Sequence, residues 1–199
     1  MMRSSSRGLS AALLCLAVVG ASRPVGSQLV LKAESQLWFD GKSTIRDWSC
    51  KATAIEGKLE APSATPVADV LAAKKAVRTA TLNFPTAKLD CDNGTMNKHM
   101  RNALNADTHK SITFTLTDYE LSAAKPVSGT LRGTLAINGV TQPITLAAQF
   151  AGEADGTLRV TGSHDLKMTE WSVEPPKLML GTLKVKETVT VRFDLLLQP

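Results

Sequence analysis

"GTLRGTLAINGVTQPITLAAQF", residues Gly129 to Phe150, holds an Asn-Gly pair with apolar residues alternating on both sides. Before the pair, Leu131, Leu135 and Ile137 share one face while Thr130, Arg132 and Thr134 take the other. After it, Val140, Ile144, Leu146, Ala148 and Phe150 oppose Thr141, Thr145 and Gln149. Period-2 alternation around Asn-Gly predicts a β-hairpin with a type I′ turn, whose two central residues need the positive φ that Asn and Gly tolerate. One face of this hairpin is therefore apolar. The functional question is whether that face covers a packed core or a space for something else.

Working outward, the same period recurs along the chain. Leu29, Leu31, Leu37 and Phe39 share a parity opposite Lys32, Glu34 and Gln36, and Ile112, Phe114 and Leu116 alternate with Thr113, Thr115 and Thr117. Leu158, Val160, Leu166 and Met168 alternate with Arg159, Thr161, Asp165 and Lys167. From Leu183 to Leu197 the alternation is the most regular of all, with Val189, Val191 and Phe193 on the apolar side. Less regular strands are expected over 44–60 and 77–84. Strands with one wet and one dry face belong to antiparallel sheets, and about eight of them with short turns make a barrel or sandwich. Two segments break the period. Thr95 to Ala106 puts Met96, His99, Met100, Ala103 and Leu104 on one helical face, and Pro66 to Ala76 reads as a second, short helix.

The first 27 residues read as a secretory signal peptide: Arg3 and Arg7, an apolar run from Leu9 to Val19, then small residues up to Ser27. Cleavage is expected near Ser22 or Ser27, with Leu14 a poor match for a lipoprotein anchor at Cys15. The apolar run is too short to span a bilayer, so no stable membrane insertion and a periplasmic or secreted location are expected. Removing the segment takes away Arg3, Arg7 and Arg23 and lowers the net charge from +5 to +2, which with few aromatics argues against a nucleic-acid partner. Cys50 and Cys91 remain. An even pair in an oxidising compartment reads as one disulfide. Two buried thiols, or a zinc site with His99 and His109, are the alternatives, the latter without any metal-ligand spacing.

No catalytic constellation stands out. Nucleophile elbow, His-Glu-x-x-His, phosphate loop and dinucleotide fingerprint are all missing from the sequence, and neighbours such as Ser163, His164 and Asp165 point to opposite faces of one strand. A binding protein without cofactor or metal is expected rather than an enzyme.

The pieces "MNKHMRNALNADTHKSITF" (96–114), "GTLAINGVTQPITL" (133–146) and "KMTEWSVEPPKLMLGTLKVKETVTVRFDL" (167–195) resemble the YceI-like family of exported proteins related to bacterial polyisoprenoid-binding proteins. The likeness runs from about Leu29 to Leu197. It departs at "SQLWFDGKSTIRDWSC", which carries Trp38, Trp48 and Cys50 where the family commonly has histidines, and at "TEWSV". The resemblance implies an all-β fold, an extended antiparallel eight-stranded lipocalin-like barrel with one short helix near its mouth. It also implies an apolar lipid ligand: a polyisoprenoid, a quinone-like molecule or a fatty acyl chain. The implied lining is Phe114, Leu116, Leu131, Leu135, Ile137, Ile144, Leu146, Phe150, Val160, Val189, Val191 and Phe193.

At the mouth, Met96, Met100 and Leu104 read either as an adaptable lid or as a plug. Trp171, Leu178 and Met179 around Pro175-Pro176 read as a second apolar rim or a rigid cover. His164 has inward parity, as a hook for a head group or as a hydrogen-bonded histidine at the barrel end. A structural or interaction domain with a filled core, working through a protein partner at the envelope, is the competing function. Interior volume separates the two, and oligomeric state, monomer or homodimer, stays open.

Overall fold

The computed structural model describes residues 27–199; the leader read over 1–27 lies, except for Ser27, outside the described residues. In chain order the elements are β1 (Ser27–Leu31), β2 (Gln36–Ser43), β3 (Asp47–Ala52), β4 (Glu56–Ala61) and helix α1 (Pro66–Leu71). They continue with β5 (Thr79–Pro85), β6 (Leu89–Asp90), helix α2 (Gly94–Ala103), β7 (Ser111–Ser122) and β8 (Val127–Ile137). The chain ends with β9 (Val140–Gly152), β10 (Leu158–Lys167), β11 (Lys177–Leu178) and β12 (Leu183–Gln198).

Eight strands close a ring in the order β1-β4-β5-β7-β8-β9-β10-β12, and the β12–β1 pairing seals it. Every pairing is antiparallel, as the one-sided apolar pattern demands. The hairpin read from Asn-Gly is present: Ile137 pairs with Val140, and Asn138 and Gly139 have φ of 51° and 77°, the I′ signature.

The remaining strands explain why the ring is not a simple tube. The alternation over 29–39 continues in parity, but the chain bends at 32–35, so one apparent strand becomes β1 and β2. Both lie on the same edge of β12, with Leu31 opposite Leu197 and Leu37 opposite Phe193. On their far sides they part company. β1 pairs with β4, whereas β2 pairs with β3 and β3 with β6, so a small sheet flares away from the barrel wall at that end. The expected irregular strand over 44–60 is in fact β3 and β4, interrupted at 53–55.

One half of the barrel is filled. Leu29, Leu59, Leu158, Val160, Phe150, Leu195 and Leu197 are buried together, and α1 covers this end with Val70 buried and Leu71 against Gly152. Aromatic rings lie over glycines on neighbouring strands: Phe193 over Gly162, Phe114 over Gly133 and Phe150 near Gly129. At Gly162 an added Cβ would meet the Phe193 ring at 2.4 Å, so the bare backbone there is what lets the ring pack.

Candidate functional site

Beyond these rings the interior opens. A cavity of about 750 Å3 lies between the flared end of the barrel and α2, inside the 300–1,000 Å3 range typical of small-molecule sites. Four parts of the chain build its wall. The barrel contributes Phe84, Ile112, Leu135, Ile137, Leu166, Val189 and Val191; the flared sheet contributes Leu37, Phe39, Trp48 and Cys50. α2 supplies Met96, His99, Met100, Ala103 and Leu104, and the segment between β10 and β12 supplies Met168, Trp171, Val173, Pro176, Leu183 and Val185.

The roof helix follows from its sequence. Asn93 caps it, its side chain accepting the Met96 N–H at 3.0 Å, and Asn105 ends it with a φ of 46°. Its apolar face meets the cavity, yet none of its residues is fully buried. The helix is therefore held chiefly at its ends. Ahead of it, Cys91 forms a disulfide with Cys50 of β3, which takes both sulfurs away from the zinc alternative. Asn97 donates to Asp90 at 2.7 Å and accepts the Cys91 N–H at 2.7 Å. The Asn97 amide is the main reason the Asp90 carboxyl is held below its ordinary range. Behind the helix, Asn105 donates to Asn138 at 2.7 Å, on the tip of the Asn-Gly hairpin.

The same tip fixes the side wall. Asn138 donates to the carbonyl of Ser172 at 2.9 Å, and His109 packs over Gly139. Trp171, buried, donates its indole N–H to the Leu135 carbonyl at 2.9 Å, so its ring turns an apolar surface inward while its polar atom is satisfied. Trp48 is different. Its ring lies against Gly41 and edge-on to Phe39 with centroids 6.1 Å apart, and its buried indole N–H has no acceptor among the described residues. Polar groups collect at one place on the rim: Ser43, Arg46, Asn93, Thr95 and His99.

Among the residues expected to line a ligand, Leu135, Ile137, Val189 and Val191 face the cavity, as do Met96, Met100, Leu104 and Trp171 of the mouth set. Phe114, Ile144, Phe150, Val160 and Phe193 lie in the buried core cluster, with Leu116, Leu131 and Leu146 packed against it, outside the cavity wall. Met179 belongs to a short turn, Met179–Gly181, between β11 and β12. His164 is half-buried and is not on the wall. The flared sheet was not expected as lining. The parity of Leu37 with Phe39 and of Trp48 with Cys50 was its signal. Among the described residues no group of three His, Cys, Asp or Glu side chains is placed to hold a metal, and no helix is long and apolar enough to cross a membrane.

This fold has counterparts. BcnA of Burkholderia cenocepacia superposes with a TM-score of 0.66 at 18% identity, over 82% of this chain and 96% of its own. A polyisoprenoid binding domain from Saccharophagus degradans, implicated in plant cell wall breakdown, superposes with a TM-score of 0.64 at 17% identity, over 86% and 97%. In sequence, a UPF0312 protein of Azotobacter vinelandii is 36% identical over 110 residues, 52% of this chain and 56% of that protein. A second UPF0312 protein, from Ectopseudomonas mendocina, is 33% identical over 49% of this chain and 47% of its own. The match thus spans about half the length of these curated relatives. The YceI-like domain model matches residues 29–197, nearly the whole described chain, and its limits coincide with the first and last buried leucines of the ring. The chain belongs to the YceI-like family.

Proposed function

We propose that this protein is an exported binding protein, not an enzyme, that encloses a long apolar molecule, a polyisoprenoid, quinone-like or fatty acyl chain, in the cavity under α2. One observation carries the reading: the closed barrel is filled at one end and hollow at the other, and the hollow is walled almost entirely by apolar side chains. Apolar surface removed from water contributes about 2.5 kcal/mol per 100 Å2, so a chain lying along this wall gains much of its affinity without a single hydrogen bond. The two methionines of α2 suit guests of irregular shape, because their side chains bend at little cost. The solved relative from Saccharophagus degradans, described as a polyisoprenoid binding domain, supports the same class of guest.

Export is supported by the leader-like sequence and by the Cys50–Cys91 disulfide, a bond that persists in oxidising compartments. Ser27 pairs with Ala61 in β1, so cleavage after Ser22 leaves that strand whole. The deciding experiment is native mass spectrometry of the protein purified from an exporting host, followed by extraction of bound lipid. A stoichiometric mass excess that extracts as an isoprenoid or acyl chain is expected. A clean apo mass, unchanged after incubation with quinones and polyprenols, overturns the container and moves the search to a protein partner. N-terminal sequencing of the same sample tests cleavage.

A further inference from the structure

The most exposed edge of the cavity is identifiable. Of its wall residues, Arg46, Asn93 and Thr95 are also exposed, so the boundary between apolar interior and water runs between the β2–β3 turn and the start of α2. Arg46 is the notable member. Arg78, Arg132, Arg159 and Arg192 each hold a carboxylate. Arg46, like Arg101 of α2, holds none among the described residues, and Arg46 is the one of these two on the cavity wall; its side chain donates a hydrogen bond to the Met96 sulfur at 3.7 Å. The backbone carrying it is fixed, because Ser43 accepts the N–H groups of Ile45 and Arg46 and the Arg46 carbonyl accepts the Ser43 hydroxyl at 2.8 Å.

Among the described residues the wall contains no Asp or Glu. The acids closest in sequence to this part of α2 are engaged elsewhere, Asp90 with Asn97 and Asp92 with Lys51. A guanidinium with no carboxylate partner among the described residues, on the exposed edge of an apolar cavity whose wall also carries Ser43, Asn93, Thr95 and His99, fits one kind of guest. We propose that the site selects single-chain amphiphiles with an anionic head group, a carboxylate or a phosphate monoester, the chain lying inside and the head held at Arg46. The planar guanidinium offers paired N–H donors that match two oxygens of either head. Thr95 and the Asn93 side-chain NH2 can donate to a third oxygen or keep the head hydrated, whereas the Ser43 hydroxyl is committed to the Arg46 carbonyl. This deepens the container reading and rests on it.

The test compares three ligands of equal chain length: palmitate, hexadecyl phosphate and hexadecanol, titrated by calorimetry into protein stripped of lipid. The two anions are expected to bind roughly fivefold more tightly than the alcohol, the size of a single good exposed ion pair. That advantage shrinks as salt rises from low concentration to about 0.5 M, since exposed charges are then screened. Arg46→Gln removes the advantage and leaves hexadecanol within twofold, and its exposed side chain makes folding of the variant safe. Whichever anion binds more tightly names the head group. Equal affinity for all three ligands, or anion affinity unchanged in Arg46→Gln, overturns the head-group assignment while the container stands. Binding of none of them overturns the container as well.

Discussion

Replacing Phe193 with alanine tests where the filled half of the barrel ends. Phe193 is 9% exposed, sits between Gly162 on β10 and Leu37 on β2, and its ring occupies the space a Gly162 side chain would need. Removing it leaves a hole no neighbour can fill, because the partner backbone is already bare. Such Phe→Ala changes cost about 3–5 kcal/mol. For a domain of this size each kcal/mol moves Tm by about 2–4 °C, so a fall of roughly 12 °C is expected.

Val191, two residues earlier on the same face, borders the existing cavity and is only half-buried. Val191→Ala enlarges a space that is already there and costs about 1 kcal/mol. Urea unfolding and thermal melts of both variants, with lipid loading read by native mass spectrometry, give the comparison. Phe193→Ala should lose about 3–5 kcal/mol and keep its ligand; Val191→Ala should lose only about 1 kcal/mol and change its ligand affinity. A Phe193→Ala loss below about 1.5 kcal/mol, or a larger effect on ligand than Val191→Ala shows, means the hollow extends past Gly162 and the division of the barrel drawn above is wrong.

Three further outcomes are expected. Replacing Cys50 and Cys91 together by serine opens a loop closed over a sequence separation of 41 residues, worth roughly 4 kcal/mol in the chain-entropy model; a double variant within 1 kcal/mol of the parent in urea contradicts this. Gly139→Ala forces a methyl onto a backbone with a φ of 77° and into the His109 ring at 2.6 Å, and should cost at least about 1–2 kcal/mol, read as a lower Tm. Asp155, in the β9–β10 turn, has its pKa drawn down to about 2 from 3.8 by hydrogen bonding from Thr157 and then by Lys32. Its contribution to stability is therefore complete above about pH 4 and lost as pH falls through 2, and Asp155→Asn should flatten the difference in unfolding midpoint between pH 5 and pH 2. An unchanged difference removes Asp155 from the account.

The fold was legible wherever one face of a strand is wet. Alternation from Gly129 to Phe150 and from Leu183 to Leu197 placed β8, β9 and β12, and the helical spacing of Met96, His99, Met100 and Leu104 placed the roof with its cavity-facing side. Parity, however, records only that a side chain points inward. Leu135 and Phe193 carry the same signal, yet one faces empty space and the other a packed neighbour, and the difference lies in which residue stands across the strand pair. Gly162 opposite Phe193 and Gly133 beneath Phe114 make room for rings to lie flat, a relation set by register between distant strands. The flared sheet was harder still. The shared parity of Leu29 through Phe39 hides the bend at 32–35, and nothing local says that β2 exchanges β4 for β3 as its neighbour.

β12 runs for 16 residues along β10 on one edge and along β1 and β2 on the other, and the Ser35 side chain meets Leu196 across 161 residues of chain. The ring is not closed, and the flare is not joined to it, until that strand is in place. The hairpins from β7 to β10 pair neighbours in sequence, whereas closure needs the most distant pairing and bears its full loop entropy, so closure is expected to be the slow step of folding. The cavity wall thus joins residues from opposite ends of the described chain, Leu37 and Phe39 of β2 with Val189 and Val191 of β12, and its integrity depends on that distant pairing.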